Sequence, residues 1–126
     1  MLKDKPIIGN KTGKLGEDIA EMYLKGKGFE ILHKNYWKPY GEIDIVAKKA
    51  NRLHFVEVKA VSRENYNAAE NVHPWKLKKL GRVIQSFLML KAYKDMDWQF
   101  DICVVQIDME SKKARVKLID NELLPE

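Results

Sequence analysis

The sequence predicts an α/β protein, a mixed sheet flanked by two helices in the order αβββαββ. Three observations carry this prediction. Glu42–Ala47 and Leu53–Lys59 are β-branched and alternate apolar with polar residues, and the short polar run Lys48-Lys49-Ala50-Asn51-Arg52 between them makes a hairpin the natural connection. Two stretches repeat their apolar residues at helical spacing. Phe100–Ile107 is a strongly apolar strand.

Taken in chain order, residues 1–11 read as a tail without periodicity. A first helix is expected from Thr12 to about Gly28, with Leu15, Ile19, Met22 and Tyr23 on its apolar face, Thr12 as cap, and Gly26 and Gly28 as the stop. Phe29–Leu32 reads as a strand that runs into a loop, Asn35–Gly41, before the hairpin. Residues 60–71 are polar and aperiodic, and so a loop. Pro74 opens a long helix to about Tyr93 on the face Leu77, Leu80, Ile84, Phe87 and Leu88, and Asp95-Met96-Asp97 breaks it. Arg115–Ile119 is a last strand after the turn Glu110–Lys113. The 126 residues suit one domain spanning the whole chain, 1–126, without repeats.

Composition narrows the function classes. The chain is 45% hydrophobic and 33% charged, which argues against long disordered tracts. No apolar run approaches the ~18 residues of a membrane span, and Met1–Pro6 has no apolar core that would serve as a signal peptide, so a cytoplasmic protein is expected. The single cysteine, Cys103, excludes an intramolecular disulfide or a cysteine zinc site and reads as a buried, inert thiol. His33, His54 and His73 lack zinc-ligand spacing and read as structural or exposed. Neither a nucleophile elbow nor a phosphate-binding glycine loop is present. The net charge of +5 fits a polyanionic partner, and equally a well-solvated small domain.

The hairpin offers chemistry. If its turn centres near residue 50, paired positions sum to about 100 or 101, and Asp44 lies opposite Val56 or Glu57. Carboxylates so close repel one another. Leu53, Phe55, Glu57 and Lys59 share one face, so an apolar face ends in a carboxylate and an ammonium. Two convergent carboxylates suit a hard cation such as Mg²⁺, which leaves room for waters and phosphate, and Lys59 would orient a water or neutralise charge on that phosphate. The competing reading is a Glu57–Lys59 surface ion pair. Glu17 falls about 20° from Leu24 at the margin of the first helix's apolar arc and reaches toward the sheet edge, whereas Asp18 and Glu21 point further into solvent. Lys76, Lys78, Lys79 and Arg82 cluster at the start of the second helix, and Lys48, Lys49 and Arg52 at the hairpin tip. With Trp37, Tyr40 and Trp75 they suit phosphate contact and base stacking, or else form a solvated cationic face.

Gly41-Glu42-Ile43-Asp44 followed by Phe55-Val56-Glu57-Val58-Lys59 resembles the PD-(D/E)xK nuclease signature, the carboxylates standing at a spacing of 57 − 44 = 13 residues. With Gly13–Ala20 and Asn35-Tyr36, the chain resembles the YraN-like family of uncharacterised bacterial proteins over roughly residues 12–108, and that family is similar in fold to archaeal Holliday junction resolvases. The resemblance implies a restriction-endonuclease-like αβββαβ core, Asp44 and Glu57 as metal-binding carboxylates for Mg²⁺ or Mn²⁺, Lys59 as the catalytic lysine, and Glu17 in support. It also implies a basic residue, here Lys76, opening the second helix. Gln99 and Val61 stand where the family carries arginines. The expected activity is metal-dependent cleavage of DNA, branched or single-stranded, in repair or recombination. A homodimer would supply two sites, with Leu118-Ile119 and Leu123-Leu124 as candidate contacts by their apolar character. The alternatives are a nucleic-acid-binding module that keeps the fold without cutting, and a protein-interaction subunit.

Overall fold

The computed structural model describes residues 7–62 and 74–121, with side chains from Gly13 in the first segment and from Leu77 in the second. Strands β1 (Glu30–Lys38), β2 (Gly41–Lys49), β3 (Arg52–Ser62), β4 (Asp97–Asp108) and β5 (Lys113–Ile119) form one sheet in sequence order. All neighbours are antiparallel except β3 and β4, which run parallel. Helix α1 (Ile7–Gly26) precedes the sheet, and α2 (Pro74–Leu88) lies in the β3–β4 crossover. The predicted α/β class and the order αβββαββ are both present, and the layout is that of a restriction-endonuclease-like core.

The sheet is covered on both faces, because each central strand sends alternate residues to opposite sides. Ile45, Ala47, Val56, Cys103 and Val105 pack under α1 with Ala20 and Leu24. Val46, Leu53, Phe55, Phe100, Ile102 and Val104 pack under α2 with Leu80, Val83, Ile84 and Phe87. Burial pushes the Cys103 thiol up to about 12, with the Asp101 charge adding to the shift, so the expected inert thiol is what the fold contains.

Several boundaries differ from expectation. Helix α1 starts at Ile7, inside the expected tail, since adding residues to an existing helix costs far less than nucleating one. Its buried stripe is Gly16, Ala20 and Leu24, flanked by Ile19 and Tyr23, while Leu15 and Met22 are exposed. Small residues let the helix sit close to the sheet, so they displace the larger apolar side chains from the contact. The stop is as expected. Gly28 takes φ +93°, and its N–H and that of Phe29 bond the Lys25 and Leu24 carbonyls, a Schellman closure sealed by Leu24 and Phe29 in one apolar cluster.

The expected loop from Asn35 is instead ordered as far as Lys38, because β2 supplies a ladder out to Lys38↔Gly41. Strand β3 likewise runs on to Ser62, paired with β4. Helix α2 ends at Leu88 rather than Tyr93. The chain turns at Leu90 into a 3₁₀ turn, Lys91–Tyr93, which stacks the Tyr93 ring on Phe87 at 4.9 Å. The readings that concern residues 1–6, the segment 63–73 with His73, and Leu123-Leu124 lie outside the described residues. Leu118 and Ile119 pack partly buried against the two core clusters.

Candidate active site

The β2–β3 hairpin turns through Ala50 and Asn51, both at positive φ (+51° and +64°), the paired left-handed geometry that a two-residue hairpin favours. Its partners sum to 101, from Lys49↔Arg52 to Ile45↔Val56. There the pairing stops. Beyond it β2 stays with β1 while β3 stays with β4, so the sheet splits at the level of Asp44 and Glu57.

The split has a local cause. Ile45 packs under α1 and Ile43 under α2, so the inside–outside alternation of β2 reverses across Asp44. Asp44 leaves the ladder, and its Oδ2 accepts the Val58 N–H at 2.7 Å, a carboxylate standing where a strand carbonyl would otherwise accept. Glu57 remains on the face of Leu53 and Phe55 and is only 3% exposed. A cavity of about 570 Å³ opens at this split. It is lined by Asp44 and Glu57, by Glu17 of α1, by Trp37 and Tyr40 around the β1–β2 turn, and by Lys79 of α2, among others.

Two glycines bring the helices to the cavity. A Cβ on Gly16 would stand 2.6 Å from the Ala60 Cβ, so α1 rests directly on β3 and sets the next residue, Glu17, at the opening. A Cβ on Gly41 would stand 3.0 Å from Val83 Cγ2 and 3.9 Å from Lys79 Cβ, so the start of β2 sits against α2. The Glu17 carboxylate accepts from Asn35 Nδ2 at 3.1 Å. Asp18 and Glu21, expected to point further into solvent, both pair with Lys34 of β1, Asp18 staying the more exposed. The Lys34 Nζ lies 2.8 Å from Glu21 and 3.6 Å from Asp18, and this hydrogen bond, with a second from Lys25, holds the Glu21 carboxyl below its ordinary range.

The structure therefore brings together Glu17, Asp44, Glu57, Trp37, Tyr40 and Lys79. Arg82 joins through Tyr40, its guanidinium 4.5 Å from the ring centre. Lys59 is half-buried, two residues beyond Glu57 along β3, and is not among the lining residues. Lys78 is exposed on α2. Lys48 and Lys49 lie at the hairpin tip, four and five residues from Asp44 and thus about 13–17 Å along the strand, and Lys49 sits over the Phe29 ring. Trp75 and Lys76 fall in the first turn of α2, with their side chains outside the described residues.

Asp44 and Glu57 suit a hard divalent cation by donor type and by access from the cavity. Among the described residues, one trio of His, Asp, Glu or Cys has all its ligand atoms within 4.8 Å, and it is His54, Asp101 and Asp120. That cluster is absorbed internally. His54 Nδ1 donates to Asp101 Oδ2 at 2.7 Å, Gln99 Nε2 and the Asn121 N–H donate to Asp101 Oδ1 at 2.8 Å each, and Gln99 also bonds Asp120. His54, read as structural or exposed, is buried and bonded to Asp101. The burial of its partner Asp101 was not readable from sequence, since a strand aspartate looks the same whether buried or exposed.

The profile of the uncharacterised protein family UPF0102 matches residues 16–105. The chain belongs to that family. UPF0102 proteins of three Campylobacter species illustrate the likeness. That of C. fetus is 42% identical over 109 residues, covering 86% of this chain and 90% of the relative. That of C. hominis is 38% identical over 117 residues, covering 90% and 97%. That of C. lari is 41% identical over 110 residues, covering 86% and 90%. The UPF0102 region begins at Gly16, the residue in contact with Ala60, and takes in Glu17, Asp44 and Glu57. The expected YraN-like membership thus stands.

Proposed function

We propose that this UPF0102 protein is a metal-dependent DNA endonuclease that hydrolyses phosphodiester bonds in branched or single-stranded DNA. The observation that carries the reading is the pair of carboxylates, Asp44 and Glu57, opening onto one cavity where their strands stop pairing. Asp44 and Glu57 would hold Mg²⁺ or Mn²⁺, which supplies a polarised phosphoryl oxygen and a more acidic water. Lys79 at the opening contributes positive charge to a phosphate backbone. Trp37, 64% exposed, and Tyr40, backed by Arg82, offer ring faces to unpaired bases, which favours substrates with unstacked nucleotides. Lys59 lies on the Glu57 face of β3 and neutralises charge on the phosphate once DNA reaches across the split.

A second reading, a nucleic-acid-binding module that does not cut, draws on two observations. Lys59 is not among the cavity-lining residues, and Glu17 forms no tight trio with the other carboxylates. Cleavage of end-labelled junction, flap, duplex and single-stranded DNA with Mg²⁺, Mn²⁺ or EDTA separates the two. Metal-dependent cutting, abolished by Glu57→Ala and by Lys59→Ala, is expected. Binding without cutting, unchanged by Glu57→Ala, would establish the second reading instead.

A further inference from the structure

Five non-glycine residues among those described have positive φ, and four of them, Ala50, Asn51, Lys112 and Asn121, lie in turns or just beyond a strand end. Asn35 is different. It takes φ +53° inside β1. A left-handed residue within a strand carries strain that the surrounding structure must hold in place, although asparagine tolerates the region better than most. The conformation has a visible consequence. Lys34 reaches the acidic residues of α1, whereas Tyr36 packs edge-on against Phe87 of α2, so β1 changes face at Asn35. The register runs from Lys34↔Ile45 to Tyr36↔Ile43, which sets Asn35 beside Asp44, the residue at which β2 changes face. The two reversals coincide, and the Asn35 side chain is thereby delivered to Glu17, whose Oε1 accepts from Nδ2 at 3.1 Å.

We infer that Asn35 is a positioning residue: its left-handed backbone and its amide together hold the Glu17 carboxylate at the opening that Asp44 and Glu57 line. The inference rests on the metal-site reading above and adds a residue to it. An amide suits the task, because it donates to a carboxylate without adding charge near two others. An aspartate would share the backbone preference but lose the donor and repel Glu17. Glycine would share the backbone and lose the side chain altogether.

That last property makes Asn35→Gly the informative variant. Calorimetric titration with Mn²⁺ alone, beside thermal melting, is run on the wild type, Asn35→Gly, Glu17→Gln and the double variant. Asn35→Gly is expected to keep the melting temperature and to weaken Mn²⁺ binding about tenfold, the usual scale for a group that orients a ligand. Glu17→Gln should weaken it by at least as much, and the double variant should add nothing further, since the asparagine acts only through the glutamate. Wild-type affinity in Asn35→Gly beside weakened Glu17→Gln would overturn the positioning role and leave the metal site standing. Multiplying effects in the double variant would do the same. A wild type that takes up no Mn²⁺ would overturn the role and the metal site together.

Discussion

Burial alone would raise the carboxyl of Asp101, which is fully enclosed, yet the hydrogen bonds from His54, the Asn121 N–H and Gln99 outweigh it and hold the group below the ordinary carboxylate range. A carboxyl depressed in the folded state stabilises the fold above its unfolded value and loses that contribution as pH falls through its folded value. The wild type should therefore lose this stability only below about pH 4. Asp101→Asn keeps the shape but replaces the carboxylate that accepts three hydrogen bonds, and is expected to cost about 2 kcal/mol at neutral pH. It should also flatten the acid limb, as denaturant titrations at pH 7 and pH 3 would record. An effect below ~1 kcal/mol at pH 7 would mean that the network is dispensable. Sequence alone could not find this cluster, because Gln99, Asp101 and Asp120 meet only once β4 and the end of β5 are side by side with β3.

Helix α1 is where an element's placement depends on one missing side chain. Alanine at position 16 would gain up to about 1 kcal/mol of helix propensity. Against that, the new methyl would fall 2.6 Å from the Ala60 Cβ, a side chain too short to move aside. Overpacking of this kind costs about 1–3 kcal/mol, so the clash wins. Gly16→Ala is expected to destabilise the protein by about 1–2 kcal/mol in chemical denaturation. Adding Ala60→Gly should recover part of the loss; a double variant less stable than the single would refute the contact's role. The helix itself was legible from its period, and its buried face only in part, through Ile19, Tyr23 and Leu24. Leu15 and Met22 looked like the apolar stripe by hydrophobicity, and steric fit chose Gly16 and Ala20 instead. The strands had the reverse fate. Their alternation gave the hairpin and its register, whereas the extension of β1 past Asn35 depended on a partner strand that local propensity does not contain.

For the whole molecule, the net charge of +5 is unevenly relevant to the site. Lys79 and Arg82 stand at the cavity, while Lys48 and Lys49 sit at the far end of the hairpin. If the site binds nucleic acid, affinity should fall with salt on a log–log plot, by about 0.7–0.9 for each phosphate neutralised. Lys79→Ala and Arg82→Ala should each reduce that slope by about 1, and Lys49→Ala should leave it unchanged. A slope altered equally by all three would indicate diffuse attraction rather than a track through the cavity. The spacing of Asp44 and Glu57 was readable as a line of text, and Trp37, Tyr40, Lys79 and Arg82 were readable as residue types. Glu17 was half-readable from its angle on α1. Asn35, Tyr40 with Arg82, and the split itself are products of three-dimensional assembly.

The split also changes what the 13-residue spacing signifies. With a two-residue turn, Asp44 and Glu57 sum to 101 like the pairs before them, and the turn lies at the end of the hairpin away from the cavity. One residue added to each strand near the turn would lengthen the hairpin and leave the two carboxylates at the split, now fifteen apart. A single added residue would force a different turn or a bulge. The separation is therefore governed by parity rather than by length, and a chain with this architecture can grow its hairpin in even steps while keeping the same two carboxylates at the split.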